Sequence, residues 1–233
     1  ISNAAFKDAD KIDYDEAVEV MNAIGVLVGD EKQNFNAKEN LTREQAAKII
    51  SYLLLGNKTA EALVGAAKFT GVVAGNGDGT FAPAGQLTGF QFAKMLLVAL
   101  GYDATIEGFT GADWQINVSK RADQADLFDG LSINGNVALT REQAAQMCLN
   151  TLKSPLVEYS NKGGSLTVNG ATVNIGASNA EYKTSSTKLA DQTIYANKLN
   201  SSAGEYIVEF AEQYYPELEL KYSEDAFGRP CYQ

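Results

Sequence analysis

Apolar residues recur at helical spacing in five stretches of the chain. In the first, Ala17, Val20, Met21 and Ile24 fall on one face and Gly25 follows, a residue suited to the left-handed end of a helix. Asp13 with Glu16 three residues on has the pattern of a reciprocal capping box at its start. The second stretch carries Ala46, Ile49, Ile50, Leu53 and Leu54 and ends at Gly56, and the third carries Phe92, Ala93, Leu96 and Leu100 and ends at Gly101. Trp114, Val118, Ala122 and Ala125 mark a fourth helix. Ala144, Cys148 and Leu152 mark a fifth, stopped by Pro155. Beyond Pro155 the period changes. Residues Ser165 to Ile175 alternate apolar and polar around Asn169-Gly170, a two-residue hairpin signal. Polar, Ser/Thr/Asn-rich segments follow, then Tyr206 to Phe210, readable as a strand or a helix start, and a candidate strand over Leu218 to Tyr222. The pattern predicts a mainly α chain of helix-loop-helix units followed by a small β-containing tail whose partner strands lie beyond Gln233.

Three of the predicted helices open on the same words. Leu41-Thr42-Arg43 returns as Leu139-Thr140-Arg141, each followed by Glu-Gln-Ala-Ala, and an altered copy stands between them as Leu87-Thr88-Gly89-Phe90-Gln91. A segment repeated in this way marks a chain built from repeats. We divide it into repeats over residues 1–56, 57–101 and 102–155, with the tail over 156–233. In every copy the threonine stands where a helix N-cap accepts a backbone N–H, and a glutamine three residues later can return the bond: Thr42 with Gln45, Thr88 with Gln91, Thr140 with Gln143. The leucine before each can serve as a hydrophobic staple. Helix-start chemistry thus accounts for Leu, Thr and Gln and leaves arginine unexplained. At the first helical position a cation meets the positive end of the helix dipole. Arg43 and Arg141, beside free first-turn N–H groups, would form an anion site. A nearby carboxylate such as Glu44 or Asp30 is the other available partner.

The repeats are unequal in length. Phe6 precedes its motif leucine by about 35 residues and Phe109 by about 30, but Phe69 precedes Leu87 by only about 18. The shortfall is roughly one helix plus a turn, with the join in Phe69-Thr70-Gly71-Val72. Either the second repeat lacks its first helix or the chain as written closes over further residues. We expect the latter, because losing the helix would strip a core of its packing partner.

Composition narrows the chemistry. A net charge of −10 argues against nucleic acid, which needs a concentrated basic face. The chain has no histidine, which removes the commonest general base, the usual hydrolase dyads and the favoured zinc ligand. Cys148, inside a helical apolar pattern, reads as a buried free thiol, and Cys231 is no part of a disulfide framework. No run is long and apolar enough for a membrane span. Asn76-Gly77-Asp78-Gly79 has the look of a calcium loop without its downstream bidentate glutamate, so a glycine turn is the better reading. The single tryptophan, Trp114, is a core anchor or a sugar-stacking platform. We expect no catalytic residue, metal or cofactor. The start at Ile1 reads as a processed or trimmed end, and Arg229-Pro230-Cys231-Tyr232-Gln233 as a cut through a longer protein.

Phe6-Lys7-Asp8-Ala9, the helix end Ile24-Gly25-Val26, the Gly29-Asp30 loop and Leu41-Thr42-Arg43-Glu44-Gln45 together resemble the S-layer homology repeat. The second copy is similar to its central signature, as Gly71-Val72-Val73-Ala74-Gly75 followed by Gly77-Asp78-Gly79-Thr80-Phe81-Ala82-Pro83. The resemblance spans about residues 6 to 155 and excludes the tail. It implies a bacterial cell-surface protein, exported and held non-covalently on a secondary cell-wall polysaccharide bearing acidic groups, often a ketal-linked pyruvate. It also implies a pseudo-three-fold bundle with ligand grooves between adjacent repeats. Carried onto this chain, the groove residues are Asp8, Gly29, Thr42, Arg43, Gly75, Trp114, Thr140 and Arg141. The middle motif has Gly89 and Phe90 for Arg and Glu, so its groove should lack the charged clamp and at most two grooves should be competent. Two alternatives stand beside anchoring: self-association of the repeats in a surface layer or appendage, and a surface enzyme whose catalytic domain follows Gln233.

Overall fold

The computed structural model describes residues 6–55, 80–169, 171–187, 199–200, 204–216, 220–224 and 230–232. The expected join near Thr70, the helix end at Gly56 and the glycine turn at 76–79 lie outside them. Among the described residues a short 3-10 turn, Ala9–Lys11, precedes six helices: α1 (Asp15–Ala23), α2 (Arg43–Leu55), α3 (Gly89–Ala99), α4 (Trp114–Gln124), α5 (Arg141–Lys153) and α6 (Phe210–Tyr214). The chain is thus mainly helical, with small antiparallel sheets in its last third.

All five helices expected before Pro155 form, but α1 starts differently. It begins at Asp15 behind Tyr14, and no side chain caps it. The expected Asp13–Glu16 box is absent because Asp13 is used elsewhere. Its amide donates to Glu142 Oε2 at 2.8 Å and its carboxylate pairs with Lys38. A long-range carboxylate has overridden a local cap. The C-terminus follows expectation: Gly25 has φ +76°, and the Val26 amide returns to Met21 O at 2.9 Å, the closure a left-handed glycine permits.

The motif leucines hold the centre. Leu41, Leu87 and Leu139 are buried, and their backbones form a closed cycle. The Leu41 amide donates to Leu139 O (2.7 Å), that of Leu139 to Leu87 O (2.9 Å) and that of Leu87 to Leu41 O (3.0 Å). Each extended segment before a helix therefore meets the next, as the bridges Asn40–Thr140, Thr42–Gln86 and Thr88–Ala138 also show. From this ring α2, α3 and α5 project with their apolar faces inward. Ile50 and Leu53 of α2, Phe92 and Leu96 of α3, and Ala144, Cys148 and Leu152 of α5 are fully buried. The outer helices cover this set: α1 packs on α5, and α4 packs on α3. Cys148 is a free, buried thiol whose pKa burial raises far above the ordinary range.

The tail is only partly separate from this core. β1 (Val157–Glu158) pairs with β4 (Glu181–Tyr182), and β2 (Gly164–Val168) with β3 (Ala171–Ile175). Val168 pairs opposite Ala171, so the chain reverses where the alternation predicts, with Asn169 left-handed at φ +51° and Gly170 outside the described residues. β5 (Thr184–Ser185), β6 (Leu199–Asn200) and β7 (Glu205–Ile207) form a sheet in the order β5-β7-β6, and β8 (Leu220–Glu224) pairs with β9 (Pro230–Tyr232). The ambiguous stretch from Tyr206 to Phe210 is both options in turn, the end of β7 and the start of α6. Leu156, Val208, Phe210 and Tyr215 are buried with the helical core, and Tyr215 Oη donates to Tyr52 O at 2.7 Å. The amide of Val157 also bonds Leu100 O, at 2.9 Å.

That seam generates a test. Gly101 has φ +107°, and a Cβ there would stand 2.2 Å from Val157 O. Gly101→Ala should therefore lower stability by at least about 2 kcal/mol, through left-handed strain plus displacement of the tail. Urea denaturation checks it, with Gly111→Ala, at an open position, as the milder control.

Candidate functional site

Each helix that leaves the leucine ring starts with the reciprocal cap expected of it. Gln45, Gln91 and Gln143 donate their amides to Thr42, Thr88 and Thr140 Oγ1 at 3.3–3.4 Å and accept the threonine amides at 2.9–3.0 Å. The two amides before each glutamine are also occupied. Arg43 and Glu44 donate to Gly85 O and Pro83 O, Gly89 and Phe90 to Val137 O and Gly135 O, and Arg141 and Glu142 to Glu39 O and Ala37 O, all within 2.9–3.3 Å. The loop before the neighbouring motif thus caps each of these three helices. This corrects the expectation of free first-turn N–H groups as an anion cradle. The amides are consumed in joining one segment to the next, because buried donors must be paired.

The arginines use the same joints. Arg141 Nε donates to Phe35 O and Nη2 to Val28 O, both at 3.0 Å, and the guanidinium lies 5.0 Å from the centre of the Phe35 ring. Arg43 repeats the arrangement: Nε donates to Phe81 O at 2.8 Å, with the guanidinium 5.0 Å from the Phe81 ring centre. Phe35 and Phe81 each stand six residues before a motif leucine. Stacking and carbonyl acceptors, rather than Glu44 or Asp30, are therefore the partners shown. At the third joint both members change together: arginine is Gly89 and the phenylalanine position is Ile133. A Cβ on Gly89 would lie 3.2 Å from both Gly135 Cα and Ile133 Cδ1. Phe90 covers Gly135 instead and meets Phe128 with ring centres 6.2 Å apart. The charged clamp is missing there, as the middle motif predicts.

Four of the eight candidate residues meet at the α5 joint. The Asp8 carboxylate accepts the amides of Phe35 (2.7 Å) and Asn36 (2.8 Å), which fixes the ring under Arg141 and the left-handed turn at Asn36, φ +59°. Gly29 leaves room for Phe6, since a Cβ would stand 2.6 Å from its ring, and Phe6 in turn tilts onto Phe35. Thr140 caps the helix that carries Arg141. Burial pulls the Arg141 pKa below the ordinary arginine value, while Glu39, Asp30 and Asp8 act to raise it. No ion pair to Arg141 forms among the described residues. Thr42 and Arg43 form the α2 joint, and Gly75 lies outside the described residues. Trp114 belongs to neither. It opens α4, half-buried against the core, with Lys94 Nζ 5.7 Å from its ring centre.

Sequence reasoning missed four participants, Phe35, Phe81, Glu142 and Lys38. Phe35 and Phe81 carried a signal, their constant offset from the motif leucine. Glu142, the motif glutamate, is almost wholly buried and takes Lys38 as well as the Asp13 amide, tying α5 to the segment before α1. Nothing local distinguishes it from Glu44, which is exposed. Lys38 is held charged chiefly by its hydrogen bonds to Asp13 and Glu142.

The family model of the S-layer homology domain matches residues 5–47 and 64–93, the two copies that carry the α2 and α3 joints. No curated protein matches the chain. Residues 5–47 and 64–93 thus carry S-layer homology domain sequence. Domains of this family anchor surface proteins to cell-wall polymers, which places the chain at a bacterial cell surface or wall. No helix among the described residues is long and apolar enough to cross a membrane.

Two outcomes follow from the joint. Arg141→Ala should cost about 1–2 kcal/mol of stability, and a double-mutant cycle with Phe35→Leu should return a coupling of about 0.5–1 kcal/mol. Additive melts would show that stacking contributes nothing. Asp30 is held below the usual carboxylate range first by the Asn34 amide and then by the Asn36 side chain. Its support of the 30–36 loop is therefore present above the ordinary carboxylate pKa and is lost as pH falls through the lowered value. Amide resonances of Lys32 and Asn34 should report that loosening below about pH 4.

Proposed function

We propose that the chain holds its protein non-covalently on the wall by binding an anionic, pyruvate-bearing secondary cell-wall polysaccharide. The binding grooves lie between successive repeats of a pseudo-three-fold, three-repeat bundle. The observation that carries this reading is the Arg141 guanidinium. It is partly desolvated and bound to two neutral carbonyls and a ring, with no ion pair to it among the described residues. A positive charge held rigidly in that way is suited to a carboxylate. The leucine cycle supports the three-repeat arrangement, since its three steps are alike in bonding and in helix capping.

In this reading Arg141, with Thr140, Asp8 and Gly29 framing it, is the principal contact. Asp8 acts through the loop it fixes, because its oxygens already accept two amides. Arg43 and Thr42 form the second groove, with Gly75 as the loop glycine there. Helix amides take no part in binding, being used in the joints. No step of catalysis and no cofactor enters.

Co-sedimentation with purified wall polysaccharide, before and after mild-acid removal of its pyruvate, tests the proposal. The chain should sediment with the intact polymer and lose at least about tenfold in affinity when Arg43 and Arg141 are both changed to Gln. Circular dichroism must show both variants folded. Arg141→Lys keeps the charge but not the fork, and should bind at an intermediate level. Undiminished binding by a folded double variant would refute the assignment. Assembly into sheets without polysaccharide would instead favour self-association.

A further inference from the structure

Unlike β1 and β7, whose Val157 and Ile207 are buried, the β2–β3 hairpin is exposed on both faces. Leu166 and Val173 lie opposite each other on one face, 55% and 57% exposed, with Ile175 two residues along the same face. The base of the hairpin is fixed. The Ser178 amide donates to Asn161 O at 2.7 Å, and Asn161 Nδ2 donates to Gly176 O at 3.0 Å. Among the described residues neither outer edge pairs with another strand. Edges of this kind are normally blunted by charge, proline or a bulge. Here no charged residue and no proline stands between Lys162 and Glu181, and the register runs from Gly164–Ile175 to Val168–Ala171 without a shift. An apolar, unprotected edge is a template for another strand, and its neutrality in a chain of net charge −10 selects which one.

We propose that β3 pairs antiparallel with β3 of a second copy of this chain, giving a four-stranded sheet in the order β2-β3-β3-β2. The pattern of β3 reads the same in both directions: Ala171, Val173 and Ile175 are apolar, with Thr172 and Asn174 between them. An antiparallel copy centred on Val173 therefore meets like with like. Val173 faces its own copy, Ala171 faces Ile175, and Thr172 faces Asn174. Because side chains alternate at period two, this register keeps Leu166, Val173 and Ile175 of both copies on one face. Charge argues for the same partner. A charged segment would find no counter-charge on the hairpin, while a second neutral hairpin needs none. The acidic remainder of the two copies repels, which confines the contact to this ribbon. One strand edge and three exposed apolar side chains fall short of the roughly 1,200 Å² at which stable complexes begin, so the contact is weak and concentration-dependent. Being two-fold, it closes at a dimer and does not propagate into sheets. It is independent of the polysaccharide reading and involves no residue of the arginine joints.

Sedimentation velocity of the full chain, without polysaccharide, tests the pairing. The mass should rise from monomer toward dimer between about 10 μM and about 1 mM. Added salt should strengthen the association, because it screens the repulsion between two acidic chains. Val173→Lys should weaken dimerisation at least about tenfold by setting two ammonium groups against each other at the centre of the sheet, and Val173→Glu should do the same with carboxylates. An equimolar mixture of the two variants should associate again, although neither does alone. That rescue separates a lost contact from a lost fold, and a mixture that stays monomeric overturns the register. A wild-type chain that is monomeric at every concentration overturns the proposal, and slow exchange of the β3 amides in that monomer would show a segment of the same chain seated on the edge. Association that Val173→Lys leaves unchanged also overturns it, placing the contact elsewhere on the molecule.

Discussion

Three backbone hydrogen bonds between Leu41, Leu87 and Leu139 close on themselves, and the remainder of the structure is arranged around that closure. A cycle leaves no end at which a buried amide or carbonyl lacks a partner. Each segment both gives and receives, so disturbing one leaves an unsatisfied group at both of its neighbours. The same segments then run into helices whose first amides are capped by the next loop. Capping, normally a local matter, has become the means by which distant parts of the chain are held together.

This changes how the arginines are understood. A cation at a helix start is disfavoured by the dipole, and on local grounds that suggests a role in binding. Yet Arg43 and Arg141 both lock onto a phenylalanine of the adjoining loop and donate to its carbonyl. In the proposed reading, fold and function draw on one side chain. The inner edge of the guanidinium holds the joint, and the proposed ligand would use what remains. The α3 joint shows that the lock is dispensable when its members change together. Gly89, Ile133 and Phe90 form an apolar seam in place of the charged one, and Lys94 stands a turn away on Trp114.

Much of this was legible in advance. The helices, the three threonine caps, the buried Cys148 and the Asn169-Gly170 hairpin all follow from local rules, since spacing and cap chemistry act within a few residues. The α1 cap was misjudged because a buried carboxylate from far along the chain, Glu142, claimed the Asp13 amide. The free first-turn amides were misjudged for the same reason, their acceptors being carbonyls of loops far along the chain. Of the candidate site, Asp8, Gly29, Thr140 and Arg141 do converge, but Trp114 stands with Lys94, a pairing that no spacing reveals.

The sequence by itself determined which segments before Pro155 become helices and that three of them begin alike, because those choices are made by side chains acting on nearby backbone. Only the tertiary structure decided what those beginnings touch. The closure of the leucine ring, the loss of free amides and the seating of each arginine on a foreign phenylalanine depend on bringing residues some forty to a hundred positions apart into hydrogen-bonding distance. Burial sets those partners, and burial is a property of the folded whole.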